Sequence, residues 1–251
     1  MPGVRSGHAA RARANHGKSA EPAATALDFA GTSRCDATLM AKRPARRKPS
    51  RQTYHHGDLR RTLLGTALEL VEEQDTSVLT LREVARRAGV THSAPYHHFP
   101  TKAALLAALA EEGFRSLYTE QLKAAAKAGP DPVRRLEALG VAYVKFAANH
   151  PGYFRVMFRS DAGGWAGFPA VTEAAQLGFM LVTSTATEAR KTGLQGDFVE
   201  FTLAAWAVVH GLATLWVDGP LRRYPALTGN RSIEELAARV VSTATAQLKS
   251  R

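Results

Sequence analysis

From residue 58 almost to the end of the chain, apolar residues recur at helical spacing. Leu59, Leu63, Ala67, Leu70 and Val71 fall three or four apart and make one face of a first helix, with Asp58 placed to cap it. Thr80-Leu-Arg-Glu83 has the spacing of a capping box, in which the threonine accepts the Glu83 backbone N–H while Glu83 reaches back. It opens a second helix that buries Leu81, Val84, Ala85 and Ala88 and stops at Gly89, where a left-handed residue is easiest without a Cβ. Thr91 caps a short third helix reaching about His98, closed by Phe99-Pro100. Three helices with so tight a link between the last two form a helix-turn-helix.

Downstream, Thr101 starts a long amphipathic helix from Lys102 to about Lys127, ended by Gly129-Pro130. Asp131-Pro132 starts another that runs to about Asn149 and stops at His150-Pro151-Gly152. After a short segment at 153–158 and a glycine-rich loop at 159–168, helical patterns return over 169–191, 197–218 and 232–249. No stretch alternates as a strand does. The expected fold is all-α: an N-terminal three-helix helix-turn-helix domain at 51–101 and a C-terminal helical bundle at 102–251.

Residues 1–50 lack periodicity and are rich in Ala, Arg, Pro and Gly, so they read as a disordered tail. Charge changes their meaning. The formal net charge is +11, and residues 1–61 alone hold 13 Lys+Arg against 4 Asp+Glu, so the basic excess is N-terminal. Such an asymmetry suits a polyanion, whose counterions lysine and arginine release, or else a solvated tail. The run from Lys42 to Arg51, with His55, His56, Arg60 and Arg61 after it, is placed to follow a DNA backbone or enter a minor groove. Met40 heads that run and is a candidate translation start.

The single cysteine, Cys35, has no disulfide or CxxC partner, and the N-terminus has no apolar run of signal-peptide length, which together point to a cytoplasmic protein. The stretch from Phe198 to Val217 has membrane-spanning length but holds Glu200 and His210 and lacks basic flanks, so it reads as a buried helix and no membrane partner is expected. Adjacent histidines at 55–56 and 97–98 diverge by about 100° on a helix and have no carboxylate at ligand spacing, so no metal is expected. Neither is a cofactor or a catalytic residue. No nucleophile elbow, HExxH, P-loop or dinucleotide motif is present, and a dyad of His150 with Asp161, or His210 as a base, is all that an enzyme reading has. An architectural nucleic-acid binder driven by the tail is the other alternative; it would lose all binding together as salt rises.

The segment Thr91-His92-Ser93-Ala94-Pro95-Tyr96-His97-His98 offers varied hydrogen-bonding groups and almost no charge, as reading base edges in a major groove requires. Here the chain resembles the TetR family of bacterial one-component regulators. The resemblance rests on Leu79-Thr-Leu-Arg-Glu-Val-Ala-Arg-Arg-Ala-Gly-Val90, on Tyr96-His-His-Phe-Pro-Thr-Lys102 and on Leu105-Leu106, in order over about 50 residues. Further on, Asn149-His-Pro-Gly-Tyr-Phe and Trp206-Ala-Val-Val-His210-Gly211 look like the C-terminal domain of a branch named for its Trp-His-Gly motif.

The resemblance implies a dimeric regulator that binds a double-stranded operator and is released by a small molecule. It implies that Arg82, His92 and Ser93 face bases, that Thr91, Tyr96, His98 and Lys102 meet phosphates, and that His97 meets either. Pro95 departs from the family's usual leucine or isoleucine, and Tyr96 and Phe99 have the alternative of closing the three-helix core.

In the second half, TetR-like bundles pair through two late helices. The stretches 197–218 and 232–249 are the candidates, since Ile233, Leu236, Ala237, Val240, Val241 and Ala244 form an apolar stripe suited to a homodimer or to intrachain core. Tyr143, Phe146, Phe154, Met157, Phe158, Trp165, Phe179, Trp206 and His210 are the candidate lining of an effector pocket, with ordinary core as the competing role. His210 lies on an apolar helix, so its imidazole needs a hydrogen-bond partner, either the ligand or a core neighbour.

Overall fold

The computed structural model describes residues 56–74, 76–158, 165–192 and 197–249. The basic run, His55, Met40, Asp161, the glycines at 163–164 and the Asp58 cap side chain lie outside the residues whose backbone or side chains are described. Among the described residues the secondary structure is wholly helical, without a strand. The order is α1 (His56–Gln74), α2 (Leu81–Arg87), a 3-10 turn (Ala94–His97), α3 (Lys102–Lys127), α4 (Pro132–Asn149), α5 (Pro151–Met157), α6 (Pro169–Lys191), α7 (Phe198–Val217), α8 (Pro220–Arg223), a second 3-10 turn (Pro225–Thr228) and α9 (Ile233–Lys249).

Capping chemistry explains most of these boundaries. Thr80 Oγ1 accepts from Glu83 N at 3.1 Å, Thr101 Oγ1 from Ala104 N at 3.1 Å, and Asp131 Oδ1 from Val133 N at 2.8 Å. Asp197 caps α7 in the same way, through Val199 N at 2.8 Å, and those amides hold its carboxyl below the usual range. Gly89 and Gly129 take the left-handed backbone, at φ 70° and 81°, that closes α2 and α3. The expected capping box is only half made: the Glu83 carboxylate turns forward to Arg86, with Nε at 2.8 Å, because a bidentate guanidinium one turn on outcompetes a single backbone N–H.

The described residues form one compact unit. Its first core joins α1, α2 and the start of α3 through Leu63, Leu70, Val84, Phe99, Leu105 and Leu106, and reaches α5 through Val156 and α6 through Val171. A second core gathers Leu117, Tyr143, Phe146, Phe154, Met157 and Ala213. The short α5 therefore belongs to both. Gly152, at its start, lies against α1 so closely that a Cβ there would stand 2.5 Å from Glu72 Cγ and 2.8 Å from Leu68 Cδ1. Tyr153 donates to Glu112 on α3 at 3.2 Å, and its hydroxyl is pushed up to about 12 by burial and by that carboxylate.

Two expectations need correcting, and for the α9 stripe the structure shows one of the two roles open to it. The segment after Gly89 is a turn leading into a 3-10 helix and not an α-helical run from Thr91. Pro95 has no N–H to give, and the bonds that form close short rings, Tyr96 N to Ser93 O at 3.2 Å and His98 N to Pro95 O at 3.0 Å. Helix α7 is long and apolar enough to cross a membrane, yet it is not a fully buried helix. It buries Phe201, Thr202, Leu212, Ala213 and Val217 and leaves Val199, Leu203, Trp206 and Leu215 exposed. The stripe on α9 is largely spent within the chain, where Ile233, Leu236, Ala237 and Val240 pack against Val144 and Leu212.

Candidate DNA-binding surface and ligand cavity

Pro95 is buried and anchors the 91–98 segment, so the residue that replaces the usual leucine or isoleucine keeps the inward position. Phe99 is buried beside it, under the Arg60 guanidinium at 5.4 Å, which settles its role as core. The opposite face carries Thr91, His92, Ser93, Tyr96 and His97, all exposed, with His98 half-buried at its edge. Tyr96 is 47% exposed and thus closes no core. Thr91 Oγ1 lies 3.3 Å from Ser93 Oγ, bracing the two hydroxyls at the head of the segment.

The three arginines of α2 differ. Arg86 is paired with Glu83, and Arg87 with Glu73 on α1, which raises both guanidinium values and lowers both carboxylates. Arg82 is exposed and has no partner among the described residues. Lys102 donates from Nζ to Ser77 O at 3.2 Å, tying the head of α3 to the link between α1 and α2.

The bundle holds a cavity of about 600 Å³ between α3, α4, α6, α7 and α9, a size suited to a small organic molecule. Of the candidate lining, Tyr143, Phe158, Phe179 and Trp206 reach it. Phe146, Phe154 and Met157 stand behind that wall as core, and Trp165 packs against the first core, donating to Met157 O at 3.1 Å. Phe179, 61% exposed, and Trp206, 48% exposed, form an open rim. The residues missed are those that make the room: Phe114, Leu117 and Gln121 on α3, Gly140 on α4, and Ala174 and Gly178 on α6. Small residues such as Gly140 on α4 and Ala174 and Gly178 on α6, lining one space, are the sequence signal for such a void, legible only once the helices are paired.

His210 does not line the cavity wall. Its Nδ1 meets Tyr143 OH at 2.8 Å, and its ring sits among Phe154, Phe158 and Trp206 at centroid distances of 4.8 to 5.5 Å. The hydrogen-bond partner it needs is thus a core neighbour. Burial pushes the imidazole below its ordinary value of 6.5 and lifts the Tyr143 hydroxyl above the usual tyrosine range. A depressed histidine contributes stability that is present above about pH 6.5 and lost as pH falls through its folded value, because the unfolded chain takes up the proton first. Between pH 7.5 and 5 the wild type is expected to lose more thermal stability than His210→Gln; equal losses would mean that the imidazole titrates normally.

An exposed polar segment beside an arginine that is unpaired among the described residues, followed by a helical bundle with a molecule-sized apolar cavity, defines the class of helix-turn-helix domains joined to a cavity-bearing bundle. Family profiles then match both parts, "Bacterial regulatory proteins, tetR family" over residues 63–109 and "Tetracyclin repressor-like, C-terminal domain" over residues 136–242. The chain belongs to the TetR family. It is 31% identical over 132 residues to the HTH-type transcriptional regulator BetI of Rhizobium meliloti (strain 1021), a match spanning 53% of this chain and 55% of that one. It thus spans about half the length of the curated relatives it matches. Among solved structures, a protein of unknown function from Rhodococcus sp. RHA1 is 34% identical with a TM-score of 0.65, covering 79% of this chain and 99% of the other. The regulator PfmR of Thermus thermophilus, at 16% identity and TM-score 0.60 over 73% of this chain and 96% of its own, shares the fold.

Proposed function

We infer that the chain is a cytoplasmic transcriptional repressor, without catalytic activity, that binds a palindromic operator as a homodimer and is released by a small molecule in its cavity. Residues 51–101, with Lys102 at the head of the next helix, carry the DNA contacts, and residues 102–251 the ligand and the dimer contact. The observation that carries the reading is the exposed polar face of 91–98 on a buried anchor, beside Arg82, which has no partner among the described residues. In this reading Arg82, His92 and Ser93 meet base edges, and Thr91, Tyr96, His98 and Lys102 meet phosphates, with His97 at their border. The exposed apolar side of α7 is the proposed dimer face, since a monomer gains nothing by presenting Val199, Leu203 and Trp206 to water.

Release works by population shift. Ligand in the cavity presses on Phe114, Leu117 and Gln121 of α3, the same helix whose first turns hold the helix-turn-helix core. A tilt of α3 moves the two recognition segments away from the roughly 34 to 36 Å that successive turns of DNA demand. DNA and ligand then oppose each other reciprocally.

Selection of bound duplexes from a genomic pool tests the DNA half. A palindromic consensus is expected, with Arg82→Ala and His92→Ala each losing about 10- to 100-fold on it and relaxing one position, while Lys102→Ala weakens all sequences alike. Recovery of the same consensus with undiminished affinity by Arg82→Ala and His92→Ala would overturn the assignment.

A further inference from the structure

The walls of the cavity say what kind of molecule fits it. Among the described residues, no side chain that lines it carries a charge. A carboxylate, phosphate or ammonium drawn inside would leave water without meeting a counter-charge, a loss that no apolar contact offsets. The polar side chains there, Gln121, Tyr143, Thr202, Trp206, Thr245 and Gln247, are all neutral, and the two threonines have spent their protons. Thr202 Oγ1 donates to Phe198 O at 2.8 Å and Thr245 Oγ1 to Val241 O at 3.0 Å, so each offers only lone pairs to anything else.

Gln121 is the decisive residue. It is 3% exposed on an otherwise apolar face of α3. Its Nε2 donates to Leu139 O at 3.3 Å, and since a carbonyl accepts only from the NH₂ end, that contact fixes which way the amide faces. The Oε1 is left pointing to α6 at Gly178, where a Cβ would stand 3.7 Å away. No group among the described residues hydrogen-bonds it, yet it is not sealed off, because no unpartnered polar side-chain atom is fully enclosed. A buried acceptor that opens into an apolar cavity is a binding group awaiting a donor.

We propose that the cavity takes an uncharged, predominantly apolar molecule that carries a hydroxyl or N–H group and donates it to Gln121 Oε1, and that it rejects carboxylates of the same skeleton. Aromatic rings on the wall, Phe114, Tyr143 and Phe158, and at the rim, Phe179 and Trp206, favour flat or ring-bearing skeletons within the class. The proposal rests on the cavity being the effector site inferred above.

The test uses the full chain with matched compounds on three skeletons, a fused aromatic ring system, a biphenyl and a twelve-carbon chain, each as the hydroxyl compound, its methyl ether and its carboxylic acid at pH 7.5. Calorimetry is expected to show the hydroxyl compound of at least one skeleton binding about tenfold more tightly than its ether, with the acid at least a hundredfold weaker. Gln121→Leu is expected to bind the ether as before and to lose the preference for the hydroxyl. An acid that binds as well as its hydroxyl partner, a preference that survives Gln121→Leu, or failure of every skeleton would overturn the proposal. Operator binding measured in the same samples separates the two claims. A hydroxyl compound that binds with the expected preference but leaves the DNA bound refutes the effector reading alone; an acid that releases the DNA refutes the chemistry alone.

Discussion

Leu203→Glu is expected to leave the subunit folded, to dissociate the dimer, and to weaken operator binding by at least a hundredfold. Leu203 lies on the open side of α7 and is 54% exposed within the subunit, so a carboxylate there costs the fold little. In a dimer formed on this face the same carboxylate would be buried twice about the two-fold axis, facing its own copy with no cation to meet it. Half of the operator contacts then depend on a second, independent encounter, and the gain from tethering two readers disappears. Sedimentation and circular dichroism check the two halves of the expectation. A variant that stays dimeric places the interface elsewhere, and one that loses its helical signal places Leu203 in the core.

Phe146→Ala is expected to cost about 3–5 kcal/mol of stability. For a domain of this size that lowers the thermal midpoint by roughly 6–20 °C. Phe146 is fully buried in the second core among Leu117, Tyr143, Phe154 and Met157, with the tilted His150 ring at 5.0 Å between centroids. Its ring stands behind the cavity wall, so the loss belongs to packing. A variant with an unchanged midpoint and an altered ligand affinity would move Phe146 from core to lining.

The helices were legible because their ends are written in local chemistry. Thr80, Thr101, Asp131 and Asp197 cap by side-chain oxygens, and Gly89 and Gly129 take left-handed turns, all decided within four residues. Pro95 belongs to the same local chemistry but acts in two ways at once. It supplies the buried anchor and denies the amide that an α-helical turn needs, and composition alone does not say which effect governs the segment. The short α8 and the 3-10 turn after it went unread because four residues are too few to show a period.

The exposed face of 91–98 and the isolation of Arg82 were within reach of the sequence, since the acidic partners of Arg86 and Arg87 sit one turn back and on the preceding helix. The cavity was legible only in part. Tyr143, Phe158, Phe179 and Trp206 were recognisable as large aromatics, but whether an aromatic faces a void or a neighbour depends on how far α6 and α7 splay. That is set by contacts distant in sequence, so Phe146, Phe154 and Met157 looked no different from lining.

The placement of α5 bears on how such a protein diversifies. Val156 and Gly152 meet the helix-turn-helix side, Phe154 and Met157 meet the bundle, and Phe158 at its C-terminal end touches the cavity. The inward positions of α7 and α9, by contrast, pack chiefly on α4 and on each other. Under the proposed function, substitutions at those positions would reshape the cavity wall while leaving the contacts of α5 with both cores intact. A new chemical specificity would then be reachable through a few substitutions on one wall, without disturbing the helix-turn-helix core that α3 shares.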